Sequence, residues 1–233
     1  MSDTRHTLLL RLAGPLQSWG VQSRFTIRDT AKEPTKSGVV GLICAALGRP
    51  RSAPIDDLAA LRMGVRVDRE GAVRRDFHTA GQDGFLRARG HVETSDVIPS
   101  ERYYLADAHF TVGLEGTADD LELLEQVHRA LKAPHWPLAL GRKAFPPGLP
   151  VYVRDGLRTN TALMDALTDH TDRWRPRLES SKLRYAVELV GDDDPLREEA
   201  DVRRTQPDQP LSFQPRRFAP REVGIFHRSL HAS

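Results

Sequence analysis

This 233-residue sequence predicts an α+β fold in the order strand, helix, strand, strand, helix, strand, and three patterns carry that prediction. An apolar strand around Leu8–Leu12 stops at Gly14-Pro15. A helix spans 36–47, and an unbroken two-residue alternation over 106–115 leads into a second helical stripe. Periods of two and of about 3.6 residues separate the two kinds of element.

Leu8, Leu10 and Leu12 alternate with Leu9 and Arg11 as a strand requires, and Gly14-Pro15 ends it. In the first helix Val39, Leu42, Ile43, Ala46 and Leu47 recur at helical intervals, with Pro34 and Thr35 as start signals and Gly48 as the expected C-terminal cap. A Pro/Arg-rich link at 49–54 and a short helical turn around Ile55–Leu61 precede a second strand marked by Val65 and Val67. Residues 70–102 change texture, with glycines, arginines and few large apolar side chains. Such a stretch buries little of itself and is expected to project as a hairpin or arm.

Ala106, Ala108, Phe110, Val112 and Leu114 then alternate against Asp107, His109, Thr111, Gly113 and Glu115. Thr117 and Asp120 form a capping-box pattern, and Leu121, Leu124, Val127 and Leu131 make the second helical stripe, stopped by Pro134. Residues 155–182 mix Arg, Asp and Pro without a period, whereas Leu183, Tyr185, Val187 and Leu189 supply a further strand. The order matches a βαββαβ ferredoxin-like unit. Its two helices are expected to cover one sheet face and to leave the other free for a ligand.

The formal net charge is only +2, so bulk charge announces no polyanionic partner. Its distribution is local: residues 191–202 hold six carboxylates against one arginine, and residues 203–233 hold six arginines against two carboxylates. Only five of the 34 basic residues are lysines, which leaves 29 arginines. Arginine suits bidentate phosphate contact and stacking on bases, and a GC-rich genome produces the same bias. The single cysteine, Cys44, allows no disulfide within the chain and falls on the apolar side of the first helix, as a small buried hydrophobe would. Met1–Ala13 has a short apolar run without a cleavage pattern, and no stretch of about 18 apolar residues occurs. A cytoplasmic protein without membrane partners is expected.

Two segments carry candidate chemistry near the N-terminus. Leu16-Gln-Ser-Trp-Gly20 brings Gln17 and Trp19 off the end of the first strand, and Thr35, Lys36, Ser37 and Gly38 open the first helix. Unpaired backbone N–H groups and the positive dipole end at such a start can cradle a phosphate. A plain amphipathic helix with a solvated lysine fits the same residues. Gly141-Arg-Lys143 sets two cations beside a glycine that permits close backbone approach, which reads as a nucleic-acid clamp or as an irregular loop packed by its prolines and Trp136. The phosphate-loop, dinucleotide and nucleophile-elbow strings are absent, and a lone cysteine excludes cysteine-rich zinc sites. His128 and His135 share no helix face, and Asp192–Asp194 read as solvated acids in a turn before Pro195. No cofactor and no metal is expected.

Five strings occur in order: Leu10-Arg-Leu-Ala-Gly-Pro-Leu-Gln-Ser-Trp-Gly20, Pro34-Thr-Lys-Ser-Gly-Val-Val-Gly-Leu42, Asp76-Phe-His-Thr79, Tyr104-Leu-Ala-Asp-Ala-His-Phe110 and Leu140-Gly-Arg-Lys143. Together with Arg216-Arg-Phe-Ala-Pro-Arg-Glu-Val223, the set resembles the CasD subunits of type I-E CRISPR Cascade complexes, members of the RAMP superfamily of CRISPR-associated proteins. The resemblance runs from about Leu8 to His227 and rests on ordered co-occurrence, since no single string is specific. It implies a modified ferredoxin-like (RRM-like) domain over 1–150, with a β-hairpin thumb at about 70–102. A C-terminal region over 151–233 would complete the sheet and add a small β subdomain. It further implies a subunit that holds the 5′ repeat-derived handle of the crRNA, caps the backbone filament of CasC subunits, abuts the large subunit CasA, and meets target DNA only through the complex.

Carried onto this sequence, the resemblance places Gln17, Trp19, Lys36 and Ser37 at the handle-binding edge, Arg142 and Lys143 on a glycine loop, and the thumb at the arm. Trp19 and Phe77 are then candidates to stack on splayed bases, each stack contributing roughly 1–3 kcal/mol. Arg87, Arg89 and Arg102 are candidates to neutralise phosphates. His78 is read as a binding or structural residue. It also invites comparison with superfamily members that cleave repeat RNA without metal through Tyr, Lys and His. No matching Tyr and Lys can be set around it, and in type I-E systems that cleavage resembles the work of CasE. A metal-independent repeat-RNA endonuclease is the alternative reading, and a scaffold touching only proteins is a third.

Overall fold

The computed structural model describes residues 4–21, 26–80, 84–86, 92–94, 98–171 and 182–229. In chain order the elements are β1 (Arg5–Ala13), β2 (Leu16–Gln17), β3 (Ile27–Arg28), α1 (Lys36–Leu47), α2 (Asp56–Ala60), β4 (Arg62–Arg69), β5 (Ala72–Ala80), β6 (Phe85–Leu86), β7 (Val92–Glu93), β8 (Ile98–Ala106) and β9 (His109–Thr117). A 3₁₀ turn (Ala118–Asp120) leads to α3 (Leu121–Lys132), then β10 (Tyr152–Arg158), α4 (Leu163–Asp169), β11 (Lys182–Leu189), α5 (Leu196–Glu199), β12 (Val202–Phe213) and β13 (Arg216–Ser229). Among the described residues one seven-stranded sheet runs β10-β1-β9-β4-β11-β13-β12, every neighbouring pair antiparallel. A second sheet joins β2, β3 and β5 to β8. The architecture is an α+β fold consistent with a ferredoxin-like unit.

The first helix forms where its caps place it. The Thr35 side chain accepts from the Gly38 N–H, and Gly48 takes the left-handed conformation, φ 73°, that closes the helix. Thr117 and Asp120 make the expected capping box, and Leu124, Val127 and Leu131 are buried from α3. Cys44 is buried, and burial pushes its thiol pKa up to about 11, which keeps it an inert packing group. The alternation over 106–115 is divided by Asp107, whose φ of 57° turns the chain from β8 into β9.

Three expectations are corrected. The strand beside β1, in the fourth position of the βαββαβ order, is β10 rather than 183–189; the latter is β11, on the far side of β4. β10 escaped the pattern because it is an edge strand whose register with β1 breaks between Tyr152 and Leu157, where two successive residues, Arg154 and Asp155, are both exposed. The C-terminal strands β12 and β13 continue the main sheet instead of forming a separate β subdomain. Asp194, read as a solvated acid, is buried against Arg62 and accepts from the Leu196 N–H.

The sheet face opposite α1 and α3 is also closed, contrary to the expectation of a free face. Gly64 and Gly113 pair directly across β4 and β9 and leave a flat spot there. A Cβ at Gly113 would come within 2.6 Å of the Leu163 side chain, and one at Gly64 within 2.9 Å of that of Leu167. Helix α4 therefore lies directly on the strands, its apolar side joined by Leu9, Tyr185, Val187 and Phe226 in a second core. Both ends of α4 are held by buried charges. The Leu163 N–H donates to Glu115 at 2.7 Å, while Arg66 donates to the Leu167 and His170 carbonyls. Arg66 is fully buried and paired with Asp68, which also accepts from Thr111. The negative group lies at the N-terminus and the positive one at the C-terminus, the order the helix dipole favours.

The residues expected at a docking edge form an interlock instead. Gln17 is fully buried: its amide donates to the Leu12 and Ala108 carbonyls, and its oxygen accepts from the Trp19 indole N–H at 3.2 Å. Trp19, 1% exposed, presses on the first turn of α1, where a Cβ at Gly38 would come within 2.8 Å of its ring. Lys36 is 1% exposed and donates to both carboxylate oxygens of Glu188 at 2.9 Å. Burial pulls its pKa below the ordinary lysine value, and Glu188 opposes that shift. The Lys36 backbone N–H donates to Asp208 at 2.8 Å, so the anion at this helix start is supplied by the chain itself. Asp208 is fixed in turn by Arg221 and Gln206.

Truncating one partner of such a pair leaves the other charge buried. Lys36→Ala is expected to cost about 3–5 kcal/mol, and Trp19→Ala about as much through the cavity it leaves; urea unfolding measures both. Arg66→Leu is expected to release α4 first, seen as faster amide hydrogen exchange at 163–170 than in β1 and β9. Uniform exchange across both cores would contradict that order.

Candidate nucleic-acid interface

Strands β5 and β8 pair along their full length, from Ala72 opposite Ala106 to Ala80 opposite Ile98, and project from the main sheet as an arm. The pleat sorts their side chains onto two faces. One carries Arg74, Asp76 and His78 with Ser100, Arg102 and Tyr104; the other carries Val73, Arg75 and Phe77 with Glu101 and Tyr103. Strand β3 runs parallel to β8 and sets Arg28 beside Arg102 on the first face, and Ile27 beside Glu101 on the second.

The Gly141 loop docks against the first face. Gly141 has φ 90°, and a Cβ there would stand 1.7 Å from the Ser18 carbonyl oxygen, so only glycine fits. Ser18 donates its N–H to the Leu140 carbonyl and its hydroxyl to the Tyr103 carbonyl, pinning loop and arm to one point. Arg142 then reaches the Arg28 carbonyl at 3.1 Å, with its guanidinium over Phe145 and Phe145 tilted against Tyr104. Partial burial, with Arg102 and Arg28 alongside, pulls the Arg142 pKa below its ordinary value. Arg28, Arg102 and the loop residue Arg142 thus gather on one side of the arm, with Asp29 and Asp76 nearby offsetting part of their mutual repulsion.

The structure thus gathers some of the sequence-derived site residues and separates others. Arg102, Arg142 and His78 share the basic face or its loop, and Lys143 is exposed beside Arg142. His78 lies 3.6 Å from Asp76. Phe77 is 60% exposed on the opposite face, under the guanidinium of Arg75 at 4.9 Å. Ser37 is half-buried on α1. Gln17, Trp19 and Lys36 are corrected: all three are buried and bonded inside the protein, with no surface to offer a base or a phosphate. Arg87 and Arg89 lie outside the described residues.

Sequence reasoning missed Arg28, Arg74, Tyr104 and Phe145 as members of the face. Tyr104 stands in a string that drew attention for other residues, and Arg74 lies in the arginine-bearing stretch at 70–102 without having been singled out. Arg28 carries no local signal, because only the parallel pairing of β3 with β8 brings it to Arg102. Among the described residues no group of three or more His, Cys, Asp or Glu is placed to hold a metal ion, and no helix is long and apolar enough to cross a membrane.

The family model described as CRISPR-associated protein (Cas_Cas5) matches residues 7–224. The CRISPR system Cascade subunit CasD of Escherichia coli (strain K12) is 32% identical over 163 residues, covering 64% of this chain and 70% of that protein. A crystal structure of a Cas protein is 44% identical with a TM-score of 0.70, covering 96% of this chain and 94% of the other. A chain of a CRISPR RNA-guided surveillance complex is 31% identical with a TM-score of 0.73, covering 96% and 90%. A family match spanning both cores, the arm and the glycine loop settles the relationship: the chain belongs to the Cas5 family of CRISPR-associated proteins.

Proposed function

We propose that this chain is the non-catalytic crRNA-binding subunit of a type I-E Cascade complex. It holds the 5′ handle of the crRNA, caps the filament of CasC subunits and abuts CasA, meeting target DNA only through the assembly. The observation that carries the reading is the basic face of the arm, where Arg28, Arg102 and Arg142 converge beside the exposed Lys143. Likeness to a Cascade CasD subunit and to a chain of an RNA-guided surveillance complex supports it.

Single-stranded RNA laid on this face meets guanidinium groups suited to phosphate oxygens and the ring edges of Tyr104 and Phe145. Phe77 takes a different part: a base on its ring would lie on the far face of the arm from Arg102.

The endonuclease alternative needs a tyrosine and a histidine converging on one 2′-hydroxyl. Tyr104 and His78 share a face, but Tyr104 lies opposite Arg74 and His78 opposite Ser100. Four residues of strand separate them, about 13 Å. They cannot serve one reacting oxygen together.

The test is binding of labelled repeat-derived RNA across a salt titration. Replacing Arg28, Arg102 and Arg142 with alanine is expected to weaken binding at least tenfold. The slope of log K against log salt should fall by about 0.7 for each phosphate no longer neutralised. Unchanged affinity and slope would refute the assignment. His78→Ala is expected to leave the RNA intact and bound in EDTA; site-specific cleavage by the unmodified chain, abolished in this variant, would instead establish the enzyme.

A further inference from the structure

Two strands flank β8 in the arm, β5 on one side and β3 on the other, and Arg184 on β11 holds the stems of both. Its Nε and Nη2 groups donate to the two oxygens of Glu70 at 2.7 and 2.8 Å, and its Nη1 donates to Glu33 at 2.8 Å. Glu70 stands between the end of β4 and Gly71, whose left-handed turn, φ 72°, starts the chain into β5. Glu33 lies on the segment that leads from β3 to α1. One side chain of the main sheet therefore grips both flanks of the arm.

A guanidinium suits this task because its fork meets one carboxylate with two parallel bonds and keeps donors for a second. Glu33 is buried, and its other oxygen accepts from Arg204 on β12. The Glu70 side chain is 55% exposed, yet the bonds from Arg184 hold its carboxyl below the ordinary glutamate pKa. Other bonds at the arm root are more local: Arg69 donates to the Asp107 carbonyl, and the Asp107 N–H donates to the Pro15 carbonyl. Arg184 instead ties the root to the interior of the main sheet, where it lies opposite Val67 on β4 and His227 on β13.

The basic face is shared between two parts of the molecule. Arg28 and Arg102 ride on the arm, whereas Arg142 rides on the Gly141 loop and donates to the Arg28 carbonyl at 3.1 Å. The spacing of the three cations thus depends on the angle between arm and sheet. We propose that Arg184 is a positioning residue for RNA binding: by bracketing Glu33 and Glu70 it fixes that angle, and with it the distance of Arg28 and Arg102 from Arg142. The inference rests on the RNA-binding reading of the arm and extends it to a residue whose guanidinium is spent on carboxylates.

Glu70→Gln and Arg184→Lys in the full chain test this, with single-stranded RNA of repeat sequence as the probe. The first removes a negative charge at an exposed position and leaves both cores intact; the second keeps the charge but loses the fork. If the local field governed binding, Glu70→Gln would tighten it and Arg184→Lys would leave it unchanged. Positioning requires that both weaken it several-fold, and affinity equal to or above that of the unmodified chain in either variant would overturn the proposal. The arm's angle is read separately, without RNA, from the distance between spin labels at Thr79→Cys near the end of β5 and Lys132→Cys at the end of α3, the buried Cys44 taking no label. Glu70→Gln is expected to broaden or shift that distance; an unchanged distribution would overturn the bracket. Absence of RNA binding by the unmodified chain would overturn the reading of the arm, a failure that the label distances separate from failure of the bracket.

Discussion

The pairing of Lys36 with Glu188 inside the protein is the contact on which the rest of the structure depends. It ties the first turn of α1 to β11, while the backbone of the same residue is bonded to Asp208 on β12. Arg221, on β13, reaches both carboxylates, so four charged groups from four elements share one buried site. Desolvating charges is costly, and the contact is favourable only because each carboxylate is met by several donors. The consequence is geometric. The C-terminal strands β12 and β13 are held to α1 and share one sheet with β1, β4 and β9.

A second constraint follows from the paired glycines at 64 and 113. Without side chains at that spot, α4 settles on the strands and seals the face that a simple βαββαβ unit would expose. Exposed basic surface is therefore displaced outward, to the arm built from β5 and β8 and to the loop docked on it. The Gln17-Ser-Trp19 segment makes that displacement rigid. Gln17 bonds β1 and Ala108, just before β9, Ser18 bonds the Gly141 loop and β8, and Trp19 wedges against α1. These side chains hold the arm, the Gly141 loop and α1 to one another.

The arm itself is two-sided because a strand pair must be. Residues opposite one another share a face, and their neighbours take the other. Arginines of β3 and β8 thus meet on one side, while Val73, Phe77 and Ile27 present exposed apolar surface on the other. A polyanion and an apolar partner can be accommodated at once, on opposite sides of the same two strands.

The elements with strong local periods were legible in the sequence: β1, α1 with its Thr35 and Gly48 caps, α3 behind its capping box, and a projecting arm. Each is written in residues within one or two turns of one another, where spacing and capping chemistry suffice. β10 and α4 were not, because an edge strand and a seven-residue helix draw their stability from neighbours far along the chain. The roles of individual side chains followed the same division. By itself the sequence determined that Gln17, Trp19, Lys36 and the Gly141 loop belong together as a recognisable set. Only the tertiary structure decided that Gln17, Trp19 and Lys36 face inward as an interlock while Arg28, Arg74, Arg102 and Arg142 face outward. Burial depends on which distant surfaces close over a residue, and no local spacing encodes that.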